Sequence, residues 1–298
     1  MLMGEHAVLR GHPAIVCAID KRMRVELTPR EDKSVLLHSA LGEHETSLDE
    51  LAHNESFRFV LGAIRACREG MQQGFQLDIR SEMSHQMGLG SSAAVTVATL
   101  AALAGAQGKA PELHCLLECG TKIIRKVQGG VGSGADVAAS AYGGCLRYFA
   151  GTQEVVKLPM TPQLTVLYSG SKMPTPEVIA LVEENRKKQP ELYDELDELI
   201  GHTVQHAFEA AARGDWETMG GLMNINQGLM DSLGVNNSKL AELVYELRED
   251  PNIQGSKISG SGLGDCVVGL GKSMRRDWGV PSLAVKVDLT GATVEAIP

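Results

Sequence analysis

The sequence predicts a protein of mixed strands and helices, organised in two modest domains. Its 298 residues are enough for two such domains. Short apolar or alternating runs, typical of strands, recur along the first part of the chain between helix-periodic stretches. From about residue 176 the sequence becomes charged and helix-periodic, and strand-like and glycine-rich segments return at the end. We therefore place a domain boundary near residue 160, which gives domains at residues 1–160 and 161–298.

The predicted elements follow from the spacing of apolar residues. Alternation or a short apolar run predicts a strand, and apolar residues every three or four positions predict a helix. In the first domain, strands are expected at residues 14–19, 24–28 and 75–79, and helices at residues 56–73, 95–106 and 111–126. In the second domain, strands are expected at residues 164–168, within 257–271, and at 282–288 and 293–297, and helices over residues 177–250 with turns near 213–215 and 234–238.

Composition and charge exclude several classes of function. Hydrophobic residues make up 43% of the chain and charged residues 22%, so a sizeable core can be buried. The net charge of -9, with scattered Lys and Arg, argues against a nucleic-acid partner. No apolar run is long enough to span a bilayer, no signal peptide is evident, and the six cysteines form no paired Cys-x-x-Cys set. Free thiols fit a reducing cytosol, so we expect a soluble cytoplasmic protein with no membrane partner.

A glycine- and serine-rich segment opens the predicted helix at residues 95–106. Glycines let a backbone approach a ligand closely, and the first amides of a helix are unpaired and partly positive, so together they form a phosphate site. Ser91 is expected to cap the helix, and the Ser92 hydroxyl to reach a Mg²⁺ ion carried with a nucleotide. The alternative is a loop that only packs tightly before a helix. The candidate residues are Gly88, Leu89, Gly90, Ser91, Ser92 and Ala93.

A carboxylate follows a second glycine-rich segment at residues 129–134. Asp136 is well placed there to orient a substrate hydroxyl or to accept its proton. The alternative is structural, because an aspartate often caps a helix, here one starting at Val137.

Two further segments are candidates for ligand contact. Residues 259–265 form a third glycine-rich segment, in which Gly260 and Gly262 can bring backbone amides to phosphate oxygens. A tight turn into the following strand is the alternative. Near the start, Glu5 and His6 could hydrogen-bond a polyol or hydroxy-acid substrate, although such a pair is more often a surface or satisfied pair.

Together and in this order, these four segments resemble the GHMP kinases, the superfamily of galactokinase, homoserine kinase, mevalonate kinase and phosphomevalonate kinase. GEHAVLRGHPAI at residues 4–15 is similar to the first motif of the mevalonate-kinase branch, and GLGSSAA at residues 88–94 to the shared phosphate loop. Residues 226–235 look like the helix segment before the third motif of that branch. KISGSGLGDC at residues 257–266 resembles the third motif loosely, where the family usually reads nearer to TGAGGGGC.

The resemblance implies a two-domain GHMP kinase fold of α+β type. An N-terminal α/β domain would bind ATP, and a C-terminal α+β domain would have a ferredoxin-like core. Members of this superfamily are often dimers, so a homodimer is left open. The resemblance assigns ATP to the loop Gly88–Ser92, Mg²⁺ to Ser92, catalysis to Asp136, and substrate contacts to Glu5, His6, Ser133 and Thr175.

The sequence departs from the family pattern at two positions. The family has a lysine a few residues before Gly-Glu-His, whereas this sequence starts at Met1, so we expect either a further N-terminal segment or another cation in that role. Mevalonate kinases also place a glutamate Mg²⁺ ligand before the aspartate, where residues 123–127 carry no acid. The metal is then expected to be held by Ser92, phosphate and water alone.

The implied activity is ATP-dependent phosphorylation of a small molecule, on this branch the 5-hydroxyl of mevalonate in isoprenoid biosynthesis. Phosphomevalonate is the rival acceptor, because residues 132–140 also resemble the phosphomevalonate-kinase version of the motif. Lys122, Arg125 and Lys126 could neutralise such a phosphorylated substrate, or could form a solvated basic helix face. A sugar acceptor and a catalytically silent GHMP-fold binding protein also stay open.

Overall fold

The computed structural model describes residues 1–83, 89–159 and 161–296. These residues form two compact units, each built from separate parts of the chain. Unit A consists of residues 1–20, 143–159 and 161–289, and unit B of residues 21–83, 89–142 and 290–296. The boundary near residue 160 stays a prediction about family domains, whereas the compact units divide the chain at other positions.

Most predicted elements are present in the described residues. The strands in chain order are β1 (Pro13–Cys17), β2 (Met23–Pro29), β3 (Ser34–Ser39), β4 (Gly42–Ser47), β5 (Phe75–Ser81), β6 (Cys145–Phe149), β7 (Glu154–Lys157), β8 (Gln163–Tyr168), β9 (Gly255–Ser259), β10 (Cys266–Leu270) and β11 (Ser282–Lys286). The helices are α1 (Arg58–Cys67), α2 (Ser91–Ala106), α3 (Leu113–Val127), α4 (Ala135–Tyr142), α5 (Thr175–Lys188), α6 (Pro190–Ala212), α7 (Trp216–Ser232) and α8 (Ser238–Arg248). A short 3₁₀ helix covers Ala7–Arg10.

Two element predictions are wrong. The helical region 177–250 has a break between α5 and α6 that was not expected, with Pro190 at the first position of α6. The strand expected at residues 293–297 is absent from its described part, residues 293–296, and Ile297 lies outside the described residues. Val294 packs instead against Gly105 of α2, where a methyl group on the glycine would lie 2.5 Å from Val294 Cγ1.

Unit B packs helices against one four-stranded sheet. The strand order is β2-β5-β3-β4, with β3 and β5 parallel and the other neighbours antiparallel. Helix α2 is buried along much of its length, and it contacts α1, α3, α4 and β2. The hydroxyls of its buried residues Thr96 and Thr99 donate to the carbonyls of Ser92 and Val95, each at 2.7 Å, so both buried hydroxyls are satisfied within the helix. This packing fixes the start of α2 near the start of α4.

Unit A contains two antiparallel sheets. One has the strand order β1-β6-β7, and the other has the order β11-β8-β10-β9. Helices α5 to α8 supply a core in which Ala7 from the N-terminal segment packs with Leu167, Ile258 and Val267 of the second sheet. No helix within the described ranges is long and apolar enough to cross a membrane.

Candidate active site

The start of α2 leaves helix amides without an intrahelical partner. The helix begins at Ser91, and its N-cap is Gly90 in the left-handed conformation (φ 76°, ψ 24°). The prediction that Ser91 caps the helix is wrong, since Ser91 is already helical and no side chain within the described ranges caps α2. The amides of Ser91, Ser92 and Ala93 have no carbonyl four residues earlier within the helix, which is the geometry of a phosphate site. Leu89 directly precedes this turn, and Gly88 lies outside the described residues.

Asp136 lies beside this helix start. A methyl group placed on Gly90 would be 3.5 Å from the Cβ, Cγ and Oδ2 atoms of Asp136. The capping alternative for Asp136 is wrong, because α4 begins at Ala135 and the Ala135 amide donates to the Ser133 hydroxyl at 3.2 Å. The exposed Asp136 carboxylate therefore lies beside the turn at Gly90 rather than capping its own helix.

Ser92 and Asp136 supply the oxygen atoms that Mg²⁺ prefers. Ser92 is half-buried in the first turn of α2, and Asp136 neighbours the same turn through Gly90. No group of three potential ligands among His, Cys, Asp and Glu exists in the described part of the chain. Magnesium usually keeps several waters and binds one or two protein oxygens together with substrate phosphates.

Glu5 and His6 form a buried cluster in unit A. Their exposed fractions are 3% and 8%, so the interpretation as a surface pair is wrong. Gly4 has φ +96°, and a methyl group there would lie 2.6 Å from both Ala14 Cα and Pro13 O, so only glycine fits. His6 is also left-handed at φ 61°. This tight turn directs two polar side chains into the interior.

A lysine from β9 neutralises Glu5. Lys257 Nζ lies 2.7 Å from Glu5 Oε1, and the side-chain exposures are 0% and 2%. The ammonium also donates to the Ile258 carbonyl. Burial lowers the pKa of Lys257, while the Glu5 charge opposes that shift. Glu5 Oε2 is buried and has no hydrogen-bond partner among the residues that the structure describes.

His6 is fixed by the third glycine-rich segment. Its Nε2 lies 2.8 Å from the Ser261 carbonyl oxygen. A carbonyl only accepts, so Nε2 carries the hydrogen. Burial lowers the pKa of His6 below its usual value of 6.5, which keeps the ring neutral and leaves Nδ1 as an acceptor. The buried Ser261 hydroxyl likewise has no partner in the described ranges.

The third glycine-rich segment packs closely against the turn before α8. Gly260 and Gly262 have φ +96° and +94°, and a methyl group on Gly262 would lie 2.4 Å from the Val235 carbonyl oxygen. The Leu263 amide donates to that oxygen at 2.8 Å. The tight-turn alternative is therefore sufficient to explain Gly262, and nucleotide contact by Gly260 and Gly262 stays a prediction.

The predicted site residues thus fall into two groups. The structure brings Gly90 and Ser92 together with Asp136 in unit B, and Glu5 with His6 in unit A. The Ser133 hydroxyl accepts from the Ala135 amide at the start of α4, and Thr175 is the first residue of α5. Substrate contact by either residue stays a prediction.

Lys257 and Ser261 are the residues that sequence reasoning missed. Both lie in the third motif, to which no acceptor role was assigned. A sequence signal for Lys257 did exist, because a lysine stands between small and apolar residues just before a glycine turn. The contacts of Ser261 with the N-terminal segment carry no such signal.

Comparison with known proteins agrees with this architecture. The profile "GHMP kinases N terminal domain" matches residues 58–144, and "GHMP kinases C terminal" matches residues 207–277. The mevalonate kinase of Pyrococcus furiosus is 33% identical over 313 residues, covering 98% of this chain and 91% of that protein. The mevalonate kinase of Thermococcus sibiricus is 36% identical over 294 residues, covering 91% and 86%.

A solved structure supports the same fold. The L. major mevalonate kinase in complex with R-mevalonate superposes with a TM-score of 0.77 at 23% identity, covering 98% of this chain and 94% of that chain. The predicted two-domain α+β fold is confirmed by this likeness and by the two domain profiles. Profiles for both domains, and relatives that match along nearly the whole chain, establish that this chain belongs to the GHMP kinases.

Proposed function

We propose that this chain is an ATP-dependent mevalonate kinase, which transfers the γ-phosphoryl group of ATP to the 5-hydroxyl of mevalonate. The observation that carries the proposal is the position of Asp136 beside the turn at Gly90, where a methyl group added to the glycine would lie 3.5 Å from the Asp136 carboxylate. The names of the relatives described above support mevalonate as the acceptor.

The residues of unit B suit the nucleotide side of this reaction. The amides of Ser91, Ser92 and Ala93 donate to phosphate oxygens, and the helix dipole favours their negative charge. The acceptor hydroxyl oxygen forms a bond to the γ-phosphorus while the bond from that phosphorus to the β-γ bridging oxygen breaks and ADP leaves. Asp136 accepts the hydroxyl proton. Most of the rate enhancement then comes from position and charge rather than from covalent chemistry.

Magnesium is part of this proposal, with Ser92 as the residue whose hydroxyl oxygen would bind it. When bound, Mg²⁺ supplies positive charge to the β- and γ-phosphate oxygens. Ser92 lies in the first turn of α2, so its single hydroxyl oxygen would be completed by phosphate and water.

Glu5 and His6 suit the binding of the substrate that receives the phosphoryl group. Glu5 Oε2 is a buried acceptor atom without a partner in the described ranges, and His6 Nδ1 is an acceptor because Nε2 carries the hydrogen. Acceptor atoms of this kind bind hydroxyl groups, which a hydroxy acid such as mevalonate provides.

Phosphomevalonate is the less favoured acceptor. Its extra phosphate would require cations, and the sequence offered Lys122, Arg125 and Lys126 on α3. In the structure, Lys122 binds Glu118 at 2.6 Å, and Arg125 donates to the Gly132 carbonyl at 2.8 Å. These local bonds favour the interpretation of α3 as a solvated basic face.

The proposal is tested by an ADP-release assay with mevalonate, phosphomevalonate and a panel of sugars. We expect turnover with mevalonate, and Asp136→Asn should lower kcat by about three orders of magnitude or more while ATP binding stays nearly unchanged. The matched control is Asp49→Asn, which removes an exposed carboxylate of unit B that pairs with Lys33, and its kcat should equal that of the wild type. ATP binding without turnover of any acceptor would instead favour a silent binding protein, and normal turnover in Asp136→Asn would overturn the role of Asp136.

A further inference from the structure

Lys257 is a charged residue at the centre of a buried strand. It lies in β9 and pairs with Val268 of β10, and both residues are buried. A buried ammonium loses its hydration, which costs several kcal/mol unless a charge and hydrogen bonds replace the water. Here the replacements are Glu5 Oε1 and the Ile258 carbonyl.

Stability alone does not explain this buried pair. Apolar side chains of similar volume are often as stabilising as a buried ion pair, or more so. In an ion pair with a purely structural role, every buried polar atom would also be expected to have a hydrogen-bond partner. Glu5 Oε2, however, has no partner in the described part of the chain. One oxygen of the carboxylate is therefore held by Lys257, while the second remains available for a bond that the described residues do not make.

The backbone around Glu5 leaves that side chain little freedom. Gly4 and His6 on either side are both left-handed, and the Ala7 and Val8 amides donate to the Glu5 and Gly4 carbonyls at 2.7 and 3.0 Å. The adjacent His6 ring is fixed by the Ser261 carbonyl, two residues beyond the end of β9. The segment from Lys257 to Ser261 thus holds both residues of the Glu-His pair.

We propose that Lys257 is a positioning residue, which holds one oxygen of the Glu5 carboxylate and so directs the second oxygen towards a hydroxyl group of the acceptor substrate. The inference rests on the proposed function, because it assigns the acceptor to Glu5. Lys257 touches neither ATP nor the acceptor in this account, and it acts only through Glu5. It follows that strand β9, which carries Lys257, sets the affinity for the acceptor substrate.

The experiment compares wild type, Lys257→Met, Glu5→Gln and the double variant Glu5→Gln/Lys257→Met. For each protein, kcat and the KM values for ATP and mevalonate are measured, together with the thermal midpoint. We expect Lys257→Met to raise the mevalonate KM by about tenfold or more, the scale of one hydrogen bond to a charged group, with the ATP KM within about twofold of wild type. The control Lys239→Met removes an exposed partner of Glu242 and should change neither KM value.

The double variant separates action through Glu5 from other roles. If Lys257 acts only through Glu5, the mevalonate KM of the double variant equals that of Glu5→Gln. If the two fold-changes multiply instead, Lys257 contacts the acceptor independently and the inference is overturned. An unchanged mevalonate KM in a folded Lys257→Met protein overturns it as well, because the pair is then only structural.

Two results are distinguished in advance. Lys257→Met alone could fail to fold, since it leaves Glu5 buried without a cation. The double variant removes both charges together and is expected to fold, so its mevalonate KM can still be compared with that of Glu5→Gln.

The activity of the wild type separates this inference from the proposed function. A wild-type protein that turns over no acceptor overturns both. If the wild type is active but the effects of the two substitutions on the mevalonate KM multiply, only this inference is overturned.

Discussion

Gly90 allows a sharp test of the site at the start of α2. Replacing it with alanine adds one methyl group, which would lie 3.5 Å from the Asp136 carboxylate. That distance is an ordinary van der Waals contact, so the methyl group does not clash with the folded chain. It does fill the space between the helix amides and the carboxylate, where we place the phosphates and the reacting hydroxyl.

The stability cost of Gly90→Ala comes from its backbone. At φ +76° an alanine is left-handed, which costs about 1 to 2 kcal/mol relative to glycine. The chain offers a matched control beyond the other end of the same helix. Gly108 has φ +71°, and no described atom lies within 4 Å of the methyl group that Gly108→Ala would add. The two variants therefore share the same strain and differ in the proximity of Asp136.

We expect Gly90→Ala and Gly108→Ala to be equally stable but to differ in activity. Denaturant unfolding should show both variants destabilised by about 1 to 2 kcal/mol. In the ADP-release assay, kcat/KM should fall by about 100-fold in Gly90→Ala, since displacing reacting groups by about 1 Å has an effect of this size. Gly108→Ala should retain nearly full activity. Equal kcat/KM values in the two variants would refute the assignment of this turn to the phosphates.

Three further predictions concern single side chains. Ser92→Ala should raise the Mg²⁺ concentration that gives half-maximal rate, and an unchanged metal titration would remove Ser92 from the metal site. Because burial lowers the pKa of His6, its contribution to stability is complete above about pH 6.5 and is lost as the pH falls. Wild type should therefore lose more unfolding free energy between pH 7.5 and 5.5 than His6→Gln does, and an equal loss would contradict the pKa direction. Iodoacetamide at pH 7.5 should alkylate the exposed Cys115 and Cys119 in the native protein. Burial raises the pKa of Cys266 to about 12, so this thiol should react only after unfolding. Mass spectrometry of the treated native protein identifies which cysteines are alkylated.

Local pattern was sufficient for most of the elements. Strand β5 and helix α3 lie within about two residues of their predicted bounds, because their apolar spacing matches the faces that they bury. Helix α1 lies inside its predicted range of residues 56–73 but ends earlier, at Cys67. The break between α5 and α6 was missed since the charged helical pattern continues across it. Proline at a first helical position was the available signal.

The strand expected at residues 293–297 failed for a different reason. An alternating segment can satisfy its apolar residues against helices as well as in a sheet, and here Val294 packs against Gly105 of α2. The Ala292 amide donates to the Ala141 carbonyl at the end of α4 rather than to a strand. Whether such a segment joins a sheet or packs on helices depends on which elements lie near it in the fold. The apolar pattern of a single segment carries no information about those neighbours.

The sequence named candidate site residues one by one, but it did not predict which of them lie together. Asp136 could be assigned either to catalysis or to a helix cap, and only the observed start of α4 at Ala135 decides against the cap. The Glu5–Lys257 pair joins residues from opposite ends of the chain, so neither local spacing nor composition could reveal it.

That pair also bears on how the chain can be divided. A cut near residue 160 would separate Glu5 from Lys257 and leave an ammonium on β9 without its carboxylate. The same cut would remove Ala7 from the core that it shares with Leu167 and Ile258. Removing one partner of a buried ion pair is strongly destabilising, whereas surface loops tolerate interruption. The first and third motifs of this GHMP kinase therefore act as one structural element, in which Glu5 and His6 depend on β9, a strand more than 240 residues later in the chain.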